Sequence, residues 1–196
     1  MGHLENELRL ANVSKTLKFA FSEAKAIEAL AFIANESPGL TPFFVAKVCF
    51  YAEKWHFNRY GRPILADTYI AMPRGPVPSI IKNFLDGNWD WFEKPQDLDD
   101  AVFIDRTQKW ARLFKGKRAP NLALLSQTDI DCLREAIQFC TSKSAAELSV
   151  MTHHEKSWAS AEPNRPMDYA DFLDDDNPNK AEITRMAKVD SAYGVL

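Results

Sequence analysis

The chain has 196 residues, which suits one domain or a domain with a modest extension. Hydrophobic residues make up 46% of it, enough for a packed core, and this excludes a chain that is disordered throughout. The net charge of -3 argues against a protein that coats DNA, which would be basic overall.

The sequence predicts a cytoplasmic protein without a membrane partner. Cys49, Cys132 and Cys140 form no Cys-x-x-Cys pair, so neither a zinc framework nor a disulfide scaffold is expected. Residues 1–18 lack the apolar core of a signal peptide, and no apolar stretch is long enough to span a bilayer. No phosphate-binding loop, GxGxxG or GxSxG motif occurs, and no cofactor is expected.

The first half of the chain reads as two helices, a strand and a short helix after an arm over 1–18. The predicted elements are a helix from Ser22 to about Asn35, a helix that Thr41 caps and Gly61 ends, a strand over 67–72, a stiff turn over 73–78 and a helix over 79–85. Three of the six turn residues are proline, whose fixed φ restricts the backbone.

The second half is predicted to hold a β-rich segment over 89–118 and then mostly helices. The helical signals are a cap at Ser126 or Thr128, a capping box of Ser144 with Glu147, a cap at Asp168 and a polar helix over 179–190. The expected class is therefore α+β, predominantly α-helical, with a small antiparallel β-sheet or hairpin.

Signals for an enzyme are weak. The adjacent His153 and His154 point about 100° apart on a helix, so they are poorly placed to share one metal ion. The His-Glu-x-x-His pattern of zinc proteases is absent. An enzyme with a histidine-centred site stays open as an alternative, and no catalytic or metal-binding residue is assigned.

A basic segment over 106–118 offers a second alternative. It holds six positive charges and no acid, with Trp110 and Phe114 between them. Such a segment suits nucleic acid through Arg112, Lys115 and Lys117, an acidic protein partner, or a solvated hairpin. Seven acids over 86–105 would offset its field, and we expect no nucleic-acid partner.

Four motifs, in their order along the chain, resemble the Panacea antitoxin domain. That family includes SocA-like antitoxins and phage-associated GepA-type proteins. They are the helix Lys47–Glu53, the turn Gly61–Ile64, the turn Arg74–Val77 and the segment from Glu147 through Thr152 and His153 to Trp158. The likeness covers residues 22–175, and Val48 and Cys49 stand where the family helix usually carries two leucines.

The resemblance implies an antitoxin of a type II-like toxin–antitoxin module that neutralises its cognate protein toxin by direct contact. SocA-like members also act as proteolytic adaptors that deliver a toxin to a ClpXP-type protease. Neither activity needs a catalytic residue, so the chain is not expected to be an enzyme. The implied division is an arm over 1–18, a Panacea-like domain over 19–175 and a C-terminal helix and tail over 176–196. The oligomeric state stays open.

Two sets of site residues follow. Those expected to shape the family motifs are Gly61, Pro63, Gly75, Pro76, Val77, His153 and Trp158. Those expected to face the toxin are Trp55, Arg59, Tyr60, Arg62 and Arg74. Arginine and tyrosine suit partner recognition because they combine contact area with directed hydrogen bonds.

Overall fold

A computed structural model describes residues 17, 19–90, 93–107 and 112–193. Within them the chain forms eight α-helices and two antiparallel hairpins, which confirms the predicted class. The helices are α1 (Glu23–Glu36), α2 (Pro42–Tyr60), α3 (Ser79–Asp86), α4 (Leu98–Ala101), α5 (Gln127–Thr141), α6 (Ala145–His153), α7 (Lys156–Ala159) and α8 (Lys180–Tyr193). The strands are β1 (Tyr69–Met72), β2 (Gly75–Pro78), β3 (Val102–Asp105) and β4 (Arg112–Gly116). Leu122–Leu124 and Tyr169–Phe172 are 3-10 turns.

Three helices begin directly after a capping residue that the sequence predicted. Ser22 accepts a hydrogen bond from the backbone N–H three residues on, at the start of α1. Ser126 with Asp129 and Ser144 with Glu147 form capping boxes before α5 and α6. Of the two predicted starts of α5, Ser126 is correct, because its side chain and backbone both pair with Asp129.

The ends of α2 are set by backbone chemistry. Pro42 occupies the first turn, where its missing N–H costs nothing. Thr41 is the N-cap residue, as the sequence predicted, although its side chain makes no capping hydrogen bond. Gly61 ends the helix in the left-handed region at φ 71°, as the sequence predicted.

The predicted six-residue turn over 73–78 is mostly strand. Only Pro73 and Arg74 form the turn, and Gly75–Pro78 is β2, which pairs antiparallel with β1. Prolines are tolerated here because β2 is an edge strand of a two-stranded sheet, and the carbonyl of Pro76 still accepts a hydrogen bond from Lys47. The tight connection brings Gly75 opposite Met72.

The predicted β-rich segment contains the second hairpin, preceded by the one-turn α4. β3 pairs antiparallel with β4, with a register irregularity between Val102 and Ile104. Leu113 in β4 donates to the carbonyl of Leu40 and accepts from the N–H of Gly39, so this hairpin is tied to the connection between α1 and α2.

Several residues of the sequence interpretation lie outside the described part of the chain. They are the predicted arm except Leu17, residues 91–92 and 108–111 of the predicted β-rich segment, which include Trp110, and residues 194–196 of the predicted tail. Leu17 is buried.

Helix α2 is the centre of the molecule. Residues 45–53 are buried without interruption, which indicates a helix surrounded on all sides. It packs most extensively against α5 and also against β2. Because α2 is enclosed, the polar side chains that it carries inward must find partners inside the protein.

Candidate functional site

Lys47 is a buried lysine on α2. Its side chain is 1% exposed, and its ammonium donates to the carbonyl of Pro76 at 3.1 Å and lies 5.2 Å from the centre of the Phe43 ring. Burial lowers its pKa to about 7, and the nearby charge of Arg74 acts in the same direction. Lys47 therefore attaches the first hairpin to the central helix.

The same hairpin approaches α6 without space for a side chain. A Cβ on Gly75 would lie less than 3.0 Å from both Thr152 Oγ1 and Lys47 Nζ. The hydroxyl of Thr152 donates back to the carbonyl of Leu148, so it is fixed in this position. Gly75 itself has φ +97°, which favours glycine.

Trp158 holds the hairpin from the other side. Its indole Nε1 donates to the carbonyl of Met72 at 3.0 Å, and its ring stacks on His153 with centroids 4.0 Å apart. Gly75, His153 and Trp158, predicted from two distant motifs, thus meet at one junction of the hairpin with α6 and α7, and Pro76 next to Gly75 connects the hairpin to Lys47 on α2. Val77 lies beside them on β2, partly buried.

Glu53 organises the turn that follows α2. Its carboxylate is 0% exposed and accepts from the N–H groups of residues 64–66 and from the Tyr169 hydroxyl. Burial raises the pKa of Glu53, and these four hydrogen bonds oppose that rise. Pro63 is buried within the same turn, and Gly61 begins it.

Asp67 is a second buried carboxylate that the sequence interpretation missed. It accepts from the N–H groups of Ile80 and Ile81 and from the Ser79 hydroxyl, so it caps α3 from outside the helix. Burial raises its pKa to about 6. The signal in the sequence is an acid directly after apolar residues, which are 48–52 before Glu53 and 64–66 before Asp67.

Four of the five predicted toxin-facing residues gather at the end of α2. Arg59 makes a two-fold hydrogen bond with Glu135 on α5, at 2.5 and 2.8 Å, and lies over the ring of Trp55. Tyr60 is 48% exposed beside them, and Arg62 donates to the hydroxyl of Ser126.

Arg74 is separated from that group. Its guanidinium lies 4.5 Å from the centre of the Phe43 ring, at the opposite end of α2. Phe43 and Arg59 are 16 residues apart on one helix, about 24 Å along its axis. The structure therefore divides the predicted surface into two parts.

His56 is enclosed beneath the first part. Its Nδ1 lies 2.8 Å from the carbonyl of Arg62, and its Nε2 lies 3.0 Å from Thr128 Oγ1 and 3.1 Å from Asp129. Burial lowers the pKa of His56. Lys25 forms an ion pair with the same Asp129 at 2.9 Å, so this carboxylate joins α1, α2 and α5.

The histidines considered for an enzyme do not form a shared centre. His153 is stacked against Trp158, whereas His154 is exposed. In the described ranges no three potential metal-ligating side chains form a group that could hold an ion.

The basic segment is partly used for folding. Arg106 donates to the carbonyls of Phe84 and Leu85, and Arg118 forms an ion pair with Glu28. The three residues of the nucleic-acid alternative are exposed on β4 or just after it, namely Arg112, Lys115 and Lys117.

The family model described as "Antitoxin SocA-like, Panacea domain" matches residues 45–159, more than half of the chain. The chain belongs to this family. The Panacea match begins within α2 and ends with α7, so it contains both hairpins and the junction of Gly75 with Thr152. It also contains Lys47, Glu53 and the predicted toxin-facing residues.

No curated protein matches the chain, and no solved structure does. Among the helices that the structure describes, none is both long enough and apolar enough to cross a bilayer.

Proposed function

We propose that this Panacea protein is the antitoxin of a two-gene toxin–antitoxin module and neutralises a protein toxin by direct binding. The observation that carries the proposal is the antitoxin family match over 45–159. The neutralisation needs one folded surface and no chemical step. We therefore propose a stoichiometric binder rather than an enzyme.

The buried polar groups have structural roles, which agrees with a protein that acts by binding and not by catalysis. Lys47, Glu53 and Asp67 are each enclosed and each bonded to backbone groups of another segment. In those positions they stabilise the fold, because a buried polar group without a partner costs about 1–3 kcal/mol.

The toxin contacts that we propose lie at the end of α2, on Trp55, Arg59, Tyr60 and Arg62, with Arg74 as a separate contact. Tyr60 is exposed, and Trp55 presents part of its ring beneath Arg59. Aromatic and arginine side chains carry much of the binding energy in protein interfaces.

Growth of a bacterial host tests the function directly. Expression of the adjacent gene is expected to arrest growth, and co-expression of this chain is expected to restore it. The two proteins should then co-purify in a fixed ratio. Arrest that this chain does not relieve would contradict the proposal.

A proteolytic-adaptor role makes a separate prediction. If the antitoxin delivers the toxin to a ClpXP-type protease, the toxin should disappear faster when both proteins and the protease are present. Equal toxin lifetimes in hosts with and without the protease, with growth still restored, would leave direct binding as the whole mechanism.

A further inference from the structure

His56 is a buried imidazole beneath the toxin contacts proposed at the end of α2. Its ring centre lies 4.7 Å from that of Tyr60, and its Nδ1 lies 2.8 Å from the carbonyl oxygen of Arg62. Tyr60 and Arg62 are both among the proposed toxin contacts. The imidazole therefore touches two of these contacts, although its own ring is closed off from a partner.

The contact with Arg62 fixes where the neutral ring carries its hydrogen. A carbonyl oxygen can only accept a hydrogen bond, so Nδ1 of His56 must be the donor there. Nε2 of the neutral ring is then an acceptor, and the hydroxyl of Thr128, 3.0 Å away, donates to it. Both nitrogens are thus satisfied while the ring has no charge.

The contact of His56 with Asp129 depends on the charge of the ring. Nε2 lies 3.1 Å from Oδ1 of Asp129, but both atoms are acceptors while the ring is neutral. A proton on Nε2 turns this contact into a charged hydrogen bond at the distance already present. The same Oδ1 accepts a hydrogen bond from Nη1 of Arg62 at 3.4 Å. Protonated His56 and Arg62 therefore compete for one oxygen atom.

The other oxygen of Asp129 already has two partners. Oδ2 pairs with Lys25 at 2.9 Å and accepts from the backbone N–H of Ser126 at 2.9 Å. The bond of Arg62 to Oδ1 is longer, at 3.4 Å, and the Arg62 side chain is 35% exposed. Of these three partners, Arg62 is the one that a protonated imidazole displaces most readily.

The surroundings of His56 favour the neutral ring at neutral pH. In the part of the chain that the structure describes, the charged side chains that face it are Lys25 from α1, Arg62 from the turn after α2 and Asp129 from α5, and Tyr60 is a further titratable neighbour. Burial lowers the pKa of His56 below its ordinary value of 6.5, and the charges of Arg62 and Lys25 act in the same direction. The Arg62 carbonyl and Asp129 oppose this shift. The positive N-terminal end of α5 also disfavours a charged ring.

We propose that His56 is a positioning residue for the toxin contacts Tyr60 and Arg62, an inference that rests on the proposed function. At neutral pH Arg62 is held by Asp129 and by the Ser126 hydroxyl, so its guanidinium is fixed before the toxin binds. In acid a proton on Nε2 takes Oδ1 of Asp129 from Arg62. The guanidinium then lacks its carboxylate and faces a second positive charge, and the toxin binds more weakly.

The first test needs no toxin. Nitrogen NMR of the free protein should show the hydrogen of neutral His56 on Nδ1, and a titration gives the pKa of the ring. Arg62→Ala is expected to raise that pKa by about 0.5 or more, because it removes the competitor for Oδ1 and a nearby positive charge. Arg134→Ala removes an exposed arginine further along α5 and should leave the pKa unchanged. A neutral ring with its hydrogen on Nε2, or equal pKa values in the two variants, would overturn the inference.

The second test measures Kd for the purified product of the adjacent gene between about pH 7.5 and about pH 5. Protonation of His56 is expected to raise Kd about tenfold in the original chain. His56→Asn keeps a donor for the Arg62 carbonyl but does not titrate, so this part of the pH dependence should be lost. His154→Asn removes an exposed histidine and should keep it. Titration of the toxin itself is common to all three chains, so their differences isolate His56.

Thr128 provides a second pair of variants in case His56→Asn does not fold. Thr128→Val keeps His56 but removes the hydroxyl that donates to the neutral ring, so binding should weaken at a higher pH. Thr128→Ser retains a hydroxyl and should restore the original profile. Identical pH profiles in the original chain, His56→Asn and Thr128→Val would overturn the inference and leave the proposed function standing.

Failure of the proposed function has a different result. An original chain that neither binds the probe nor restores growth would overturn that function and, with it, the positioning role toward a toxin. The titration of the free protein would then decide only whether His56 and Arg62 exchange at Oδ1 of Asp129.

Discussion

Gly75 in the first hairpin and Thr152 on α6 lie so close that the glycine hydrogen faces the threonine hydroxyl with no room for a methyl group. The two residues are 77 positions apart. Their contact is therefore a tertiary constraint, and it joins two distant segments within the Panacea match.

Gly75→Ala is expected to destabilise the protein by about 2–4 kcal/mol. The methyl group meets Thr152 and Lys47, and a φ of +97° is strained for any residue with a Cβ. Gly39→Ala is the matched control, since Gly39 has φ +85° but nothing within 4 Å of its Cβ position. Urea unfolding should show a loss of only about 1–2 kcal/mol for the control. Equal losses would mean that backbone strain, and not the close packing, decides the effect.

Glu53→Ala is expected to cost about 3–5 kcal/mol. The N–H groups of residues 64–66 would lose their acceptor, and the Tyr169 hydroxyl would keep only the carbonyl of Asp67. The comparison is Glu36→Ala, since Glu36 is exposed and has a 3.7 Å contact with Arg134. Its removal should change the free energy of unfolding by less than about 0.5 kcal/mol. Thermal melts of the two variants that coincide would refute the assigned role of Glu53.

Lys47 makes stability depend on pH near neutrality. The pKa of the folded amine is about 7, whereas its ordinary value is 10.5. Between these values the unfolded chain binds more protons, so the free energy of unfolding rises with pH. The rise from pH 7 to about 8.5 should reach at most about 2 kcal/mol.

Lys47→Met is expected to flatten this rise, because methionine fills similar space without a titrating group. Urea unfolding at the two pH values measures the effect. The window ends near pH 8.5 because the pKa values of Cys49 and Cys140 are raised by burial, and their thiols act in the opposite direction above it. A slope that is unchanged in the variant would assign the pH dependence to another group.

Replacing Arg59, Arg62 and Arg74 together by alanine is expected to weaken toxin neutralisation. Arg59 is also bonded to Glu135, so Glu135→Ala serves as the control: it removes the ion pair but leaves the arginine in place. Both members of this pair are almost half exposed, and its loss should cost at most about 1 kcal/mol. Neutralisation that survives the triple change in a folded protein would show that these arginines are not toxin contacts.

Local signals explain why most helices could be predicted. Ser22, Pro42, Gly61, Ser126 and Ser144 act on backbone groups within a few residues, so their effect is readable from the neighbouring sequence. The first hairpin was misread for the opposite reason. Proline and glycine indicated a turn over 73–78, but the pairing with β1 depends on a partner strand and on Lys47.

Only part of the candidate site could be predicted from the sequence. The arginines and aromatics at the end of α2 stand out in the sequence, yet nothing there shows that Arg59 is paired with Glu135 or that Arg74 lies at the other end of the helix. The exposure of Val150 and Met151 on α6 was not predicted, because an apolar residue in a helix predicts burial equally well. Which face of α6 stays exposed depends on its packing against β2, α7 and α2.

The hydrogen bond from Tyr169 to Glu53 determines where the protein can be truncated. Tyr169 lies ten residues beyond the family match, yet it completes the shell of a carboxylate inside the match, and Phe172 packs on Phe50 at 5.4 Å. A fragment that stops at residue 159 would leave that carboxylate short of a donor and uncover aromatic surface. The smallest portion of this chain that folds independently is therefore expected to extend past residue 172.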